Sequence, residues 1–418
     1  MNLLKTSFWV GLSTVLRMCA GLITTKIMAI YVGPSGVALL GNFTNVTGII
    51  SNLSNGATAT GVTKYIAEYD KEEEKQTFIA NALKITLFCS LIISVFIISM
   101  SGYLSVLILK SKEYQSVFII LGFSLAFFGL NTTFIAILSG YKKIKNIIVA
   151  GMLSNVIGVI LAIVFTVRFG LYGALLNSII SQLFSFVIYI IIISRAKIFD
   201  LRVIKIKFNK VLSVKLFKYA TMSIVSVFVV PIGLLLIRNY VIHSYSASEA
   251  GLLQGVWSLS SVYLSVIIMI LSIYFMPTLS SIKEREKLRS ELLHTLKFIL
   301  ILSFLGLLTV FICQDIIINI LFTAEFLPMQ KYFTFHIIGD FFRIASLVLE
   351  YVLVAKAMVR WYIVCAIGTS GLYVVLSFVF MIFLGSIGET YAYCLSYFLY
   401  LMFLIILFKD ILFKVSTN

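Results

Sequence analysis

Residues 202–215 read RVIKIKFNKVLSVK. They belong to the longest basic, weakly apolar connection in the chain, Arg195 to Lys218, in a sequence that is 61% hydrophobic and only 12% charged over 418 residues. No soluble core needs so much apolar surface. A helix needs about 20 apolar residues to cross a bilayer, and about six such stretches lie on each side of the connection. Before it they fall near 7–32, 36–65, 78–108, 115–139, 147–168 and 172–194; after it, near 213–237, 249–276, 294–314, 330–356, 361–385 and 389–408. The expected fold is all-α and integral to the membrane, with about twelve transmembrane helices in two six-helix lobes. The lobes are expected at 1–195 and 213–418, joined by a cytoplasmic connection at 196–212. Six is even, so both lobes insert in the same sense, which permits a pseudo-two-fold axis along the membrane normal. AGLITTKIMAIYVGPSGVALL (20–40) and PIGLLLIRNYVIHSYSASEAGLL (231–253) are faintly alike. Each sets a basic residue, Lys26 or Arg238, before a short loop and a glycine-led helix at Gly36 or Gly251.

The 33 Lys and Arg against 17 Asp and Glu are distributed by topology. With Met1 in the cytoplasm, Lys110, Lys112, Arg168, Arg238 and Lys331 fall on the far side, and Arg17, Lys26, Lys84 and Arg343 fall within spans. Nearly all the others gather in cytoplasmic breaks, so the positive-inside rule places both termini in the cytoplasm. The basic excess therefore orients the chain and calls for no nucleic acid; in the connection it sits near anionic headgroups. The N-terminal stretch is too long and too interrupted by Arg17 for a cleaved signal peptide and reads as a retained first helix. Cys19, Cys89, Cys313, Cys365 and Cys394 show no paired spacing, which argues against disulfides and metal sites. No outer loop is long, the largest being Gln314–Met329, and no P-loop, HExxH or suitably placed GxSxG occurs. Catalysis has little to stand on, and no cofactor is expected beyond an ion gradient.

Charges in hydrocarbon cost roughly 2.5–3.5 kcal/mol each even on lenient scales, so they face protein interior or water. In the first span Ser13, Arg17, Gly21 and Thr24 share a stripe, with Lys26 roughly opposite and nearer the outer interface. Lys26 either snorkels to the headgroups or faces a cavity; Arg17 either forms an internal salt bridge or binds substrate. The second span carries Asn42, Asn45, Asn52 and Asn55 at heptad-like spacing, suited to lining a cavity or to bonding helices together. Gln254, Ser258, Ser261 and Ser265 make a comparable stripe in the eighth. The tenth holds His336, Asp340, Arg343 and Glu350 at steps of four, three and seven. That ladder suits proton or ion coupling, the alternative being an Asp340–Arg343 pair that only lets the helix insert. Pro231 is expected to kink the seventh span and Pro277 to end the eighth.

Three strings carry a family resemblance: GNFTNVTGIISNLSNGATATGVTKYIAEY (41–69), FMPTLS (275–280) and HIIGDFFRIASLVLEYVLVAKAMVRWY (336–362). They resemble the Wzx-type flippases, the polysaccharide branch of the multidrug/oligosaccharidyl-lipid/polysaccharide exporter superfamily. The lipid III branch is the most similar in GVTKY and in GD followed by a basic residue. The resemblance implies a bacterial inner-membrane transporter of undecaprenyl-pyrophosphate-linked O-antigen or enterobacterial common antigen units, working by alternating access around a cationic cavity. It also implies matches to the family's basic first-helix positions at Arg17 and Lys26, and to its acidic–basic pair at Asp340 and Arg343. A polysaccharide polymerase and a chain-length regulator are the protein partners it suggests.

The residues agree with that expectation on their own chemistry. A lipid pyrophosphate carries about two negative charges, which an arginine in a low-dielectric cavity attracts strongly. Asparagine and serine stripes supply the many weak bonds a glycan needs. Arg17, Lys26, Asn42, Asn45, Asn52, Asn55 and Arg343 are thus candidate substrate contacts, and His336, Asp340 and Glu350 candidate coupling groups for a proton or sodium gradient. Two rivals remain. A multidrug or cation antiporter should carry mid-span carboxylates in both lobes, and the first six spans show none. A membrane glycan polymerase or ligase should carry a large outer loop.

Overall fold

The structure is a computed structural model and describes residues 3–196, 198, 203, 206, 208–282, 284–356 and 358–413. Arg202, Lys205 and Lys207 of the basic connection lie outside the described residues. Among the described residues every regular element is a helix, as the composition requires: in hydrocarbon each backbone polar group must be satisfied within its own segment. The chain divides into two compact units, Met1–Val32 with Leu39–Pro231 and Gly33–Ala38 with Ile232–Asn418.

The first unit contains α1 (Leu3–Tyr31), most of α2 (Gly33–Ser54), α3 (Ala59–Glu68), α4 (Glu72–Ser99), α5 (Ser101–Leu109), α6 (Gln115–Gly140), α7 (Ile144–Arg195) and the start of α8 (Lys210–Ser244). The second expected span is broken between α2 and α3, where Gly56 and Ala57 take positive φ. The 52 residues of α7 hold the fifth and sixth expected spans in one run. At about 1.5 Å per residue it is far too long for a single ~30 Å crossing, and Gly170, at φ 54° and ψ −133°, supplies the bend. Only glycine enters that region without strain. Three glutamates, Glu72–Glu74, occupy the first turn of α4, where they complement the helix dipole. Phe78, Ile79, Leu83, Phe134, Ile137, Tyr189 and Ile193 form a buried core, joined by Ile198, Val203 and Leu216 of the connection. Side chains of α4 fix that connection. Gln76 donates to the Ile198 carbonyl at 2.8 Å, Lys84 donates to the Ile206 carbonyl at 2.5 Å, and Asn81 accepts from the Asn209 amide at 2.9 Å.

The second unit contains the rest of α8, then α9 (Ala247–Ile270), α10 (Met276–Ser281), α11 (Arg285–Ile312), α12 (Gln314–Leu321), α13 (Gln330–Ala355), α14 (Val359–Leu384), α15 (Gly388–Leu407) and α16 (Lys409–Leu412). Pro231 lies inside α8, which runs through it, and the two units divide there. The expectation for Pro277 needs amending. Pro277 does not end the eighth span: the helix passes through a π-helical turn at Leu271–Phe275 and continues as α10, with Pro277 in its first turn. The core runs through Leu264, Leu271, Phe275, Leu292, Ile299, Val348, Leu349 and Leu404.

Eight helical segments among the described residues are long and apolar enough to cross a membrane, and two of these, Ile144–Arg195 and Val359–Leu407, each join two expected spans. Large apolar side chains remain exposed along them, including Phe88, Phe123, Ile312, Ile382 and Phe383. In water this surface would aggregate; in a bilayer it is the solvated face.

Candidate functional site

In the first unit the expected substrate residues have different surroundings. Arg17 is exposed on α1 and makes no ion pair among the described residues; it acts electrostatically on Tyr189 of α7. The internal salt bridge open to it in the sequence is therefore absent among them. Lys26 is half-buried. Asn42 is fully buried and donates to the Ile108 carbonyl at 3.3 Å, bonding α2 to α5. Asn52 donates to the Gly48 carbonyl of its own helix at 2.9 Å. Asn45 is half-buried with an unpartnered amide nitrogen, and Asn55 is buried with neither amide atom partnered. The stripe is thus structural at Asn42 and retains unused bonding capacity at Asn45 and Asn55.

The second unit holds a buried network built from α9, α13, α14 and α15. Helical spacing puts His336, Asp340 and Arg343 on one face of α13. Asp340 is fully buried. Its carboxylate accepts from Ser260 at 2.8 Å, from Tyr263, and from Tyr393 at 2.6 Å. These donors replace the water a buried carboxylate has lost. Arg343 does not pair with Asp340 directly, as an i,i+3 ion pair would. It donates to the Tyr393 hydroxyl at 3.1 Å and lies over the Tyr397 ring at 5.4 Å. Tyr393 is therefore the bridge, accepting from the arginine and donating to the aspartate. His336 stacks on Tyr393 with ring centroids 4.3 Å apart, and its Nε2 lies 3.6 Å from Asp340. Neither ring nitrogen has a hydrogen-bond partner. Glu350, three turns toward the other end, lies beside Tyr400 and Cys365.

Gly339 makes this arrangement possible. A Cβ there would lie 2.4 Å from the Tyr393 ring and 3.1 Å from the Cys394 backbone. The glycine before Asp340 lets α15 approach closely enough for Tyr393 to reach the carboxylate.

Several participants escape a reading based on mid-span charges. Glu389 is fully buried at the start of α15 and accepts from Trp257 Nε1 at 3.2 Å and from Tyr373. Arg238, expected near the outer end of its span, is also buried. It donates to Gln254 and stacks over Trp257 at 5.1 Å. On α9 the contacts to Asp340 come from Ser260 and Tyr263, off the face of the Gln254–Ser265 stripe. One signal was visible: Glu389, Tyr393, Tyr397 and Tyr400 recur at four, four and three, which makes a polar face on α15 opposite that of α13. Among the described residues no cluster of three or more His, Cys, Asp or Glu is arranged to hold a metal, and all five cysteines are free.

Residues 3–283 match the family described as polysaccharide biosynthesis protein. The lipid III flippases of Escherichia coli (strain K12) and Shigella flexneri are each 27% identical over 403 residues, covering 96% of this chain and 96% of theirs. Among solved structures, an inward-facing multidrug resistance MATE family transporter of the MOP superfamily superposes with a TM-score of 0.81 at 14% identity, covering 95% of this chain and 98% of its own. The lipid II flippase MurJ, in an inward closed conformation, superposes with a TM-score of 0.75 at 16% identity, covering 97% and 87%. Those two likenesses establish a shared fold. The family match spans well over half the sequence, and the all-helical, two-unit architecture agrees with it: the chain is a multi-pass membrane protein that belongs to the polysaccharide biosynthesis protein family.

Proposed function

We propose that the chain is a flippase that moves an undecaprenyl-pyrophosphate-linked oligosaccharide from the cytoplasmic to the periplasmic leaflet of the bacterial inner membrane, by alternating access and with both termini cytoplasmic. The observation that carries this reading is the buried Asp340–Tyr393–Arg343 network in a chain that is similar over nearly its whole length to lipid III flippases. Buried ionisable groups in spanning helices are costly to keep and accompany transport pathways. No covalent bond changes in the substrate.

Arg17 and Lys26 attract the pyrophosphate, Arg17 with a guanidinium uncommitted to any ion pair among the described residues. Asn45, Asn52 and Asn55 meet the glycan, with Asn42 holding α2 in place. Arg343, engaged by Tyr393 and Tyr397, serves the coupling network more than the substrate in this state. Asp340, with His336 and Glu350, senses the proton or sodium gradient. A polymerase and a chain-length regulator take the glycan on the periplasmic side.

The test is deletion of the gene and analysis of lipid-linked intermediates. A pyrophosphate-linked repeat unit should build up on the inner leaflet and clear when the wild-type chain is restored. Normal surface polysaccharide with no build-up contradicts the proposal. The buried carboxylates Asp340 and Glu389 favour one other reading, a cation antiporter; loss of resistance to organic cations without lipid accumulation would select it.

A further inference from the structure

Glu389 is assigned no part in the scheme above, yet its surroundings are unusual. It lies one residue into α15, close to the turn at Gly385, where a glutamate would ordinarily reach water. Instead its side chain is fully buried. Both donors, the Trp257 indole and the Tyr373 hydroxyl, converge on Oε1. Oε2 is buried with no hydrogen-bond partner. The ionisable groups that act on it are Tyr332 and Asp340 of α13 and Tyr373 of α14, and Arg238 of α8 lies over the ring of Trp257, which donates to it. Among the described residues none of the cations forms an ion pair with it.

A carboxylate in this position bears its charge with one oxygen bare, the arrangement that low-dielectric surroundings penalise most. A proton on Oε2 removes that penalty. A metal ion fits less well, because the described residues gather no third ligand beside it. Asp340 is the contrasting case, served by three hydroxyls and linked to Arg343 through Tyr393. The two carboxyls act on each other electrostatically, and the Tyr373 ring meets the Tyr393 ring edge to face at 5.6 Å between them.

We propose that Glu389 is a second proton-binding site of this protein, taking up its proton at Oε2. On uptake, an O–H bond forms at Oε2 with a proton delivered by hydronium, which leaves as water; release reverses the step. The inference rests on the transport reading only for what the proton drives.

Infrared difference spectroscopy on the purified full-length chain in lipid nanodiscs, titrated in potassium and in sodium buffers, tests it without the substrate. The expected result is a protonated-carboxyl carbonyl band that titrates with pH in both buffers and is lost in Glu389→Gln. The band should persist with a shifted midpoint in Asp340→Asn. Trp257→Phe removes a donor that favours the charged form, so its midpoint should move to higher pH; this variant decides the matter if Glu389→Gln does not fold. A titrating band unchanged in Glu389→Gln, an unmoved midpoint in Trp257→Phe, or a wild-type band abolished by sodium would overturn the proposal. A chain that shows the band yet moves no lipid-linked glycan would refute the proposed function and leave this site standing.

Discussion

The Tyr393 hydroxyl donates to the Asp340 carboxylate at 2.6 Å, and the same oxygen accepts from Arg343 at 3.1 Å. A phenol thus stands where a direct ion pair was available three residues along one helix. A direct pair would lock both charges together. With the phenol between them, Asp340 and Arg343 are stabilised by a group on α15, so a movement of α15 relative to α13 alters both at once. Tyr393→Phe removes one donor from a buried charge and one acceptor from an arginine. It should cost about 1.5–3 kcal/mol for the hydrogen bond to the charged group, read as a lower midpoint of thermal unfolding in detergent. Transport should fall further than stability. A variant with wild-type stability would show that the bridge is dispensable.

Gly339→Ala tests the close approach on which the bridge depends. The added methyl meets the Tyr393 ring and the α15 backbone, and overpacking of this kind typically costs 1–3 kcal/mol. The expected outcome is a destabilised chain whose loss is not additive with Tyr393→Phe, since both act on one contact. Additive losses measured in a double-mutant cycle would separate the two.

Asp340→Asn keeps the shape and the neighbouring hydroxyls but removes the charge. Insertion and folding should survive, while glycan translocation should lose its response to the proton gradient. Wild-type transport with an unaltered gradient response would remove Asp340 from the coupling role.

Much of this was legible in the sequence, for identifiable reasons. The apolar runs and their polar breaks mark the helices because the hydrocarbon core imposes a length on any element that crosses it. The basic connection at Arg195–Lys218 stands out because every neighbouring stretch lacks charge. The α13 ladder was readable because His336, Asp340 and Arg343 fall at helical spacing in the middle of a span. Glu389 was not, since a glutamate one residue into a helix looks interfacial. Tyr393 was hidden because an aromatic residue near a helix end usually belongs to the membrane's aromatic belt, and Tyr263 because a mid-span tyrosine carries no charge to mark it. On α9 the stripe of small hydroxyls suggested one face, whereas the rotation of the helix is set by packing, and packing turns Ser260 and Tyr263 toward Asp340.

The connection between the halves offers an independent check on the first unit. Lys84 of α4 donates to the Ile206 carbonyl, a charge-assisted bond from within a spanning helix. Lys84→Met should free this part of the connection and raise the rate of trypsin cleavage at Arg202, Lys205 and Lys207 in membrane vesicles several-fold. Helix content should be unchanged. An unaltered cleavage rate would mean that Gln76 and Asn81 hold the segment alone.

The central claim is that this chain carries a lipid-linked glycan across the bilayer, with Arg17 engaging its pyrophosphate. The most direct measurement reconstitutes the purified chain in proteoliposomes bearing an undecaprenyl-pyrophosphate-linked oligosaccharide and follows the fraction of glycan exposed on the trans leaflet. The account predicts time-dependent exposure with the wild-type chain and none above the protein-free rate with Arg17→Ala, although that variant inserts normally. Equal exposure with Arg17→Ala, or none with the wild type, would contradict it.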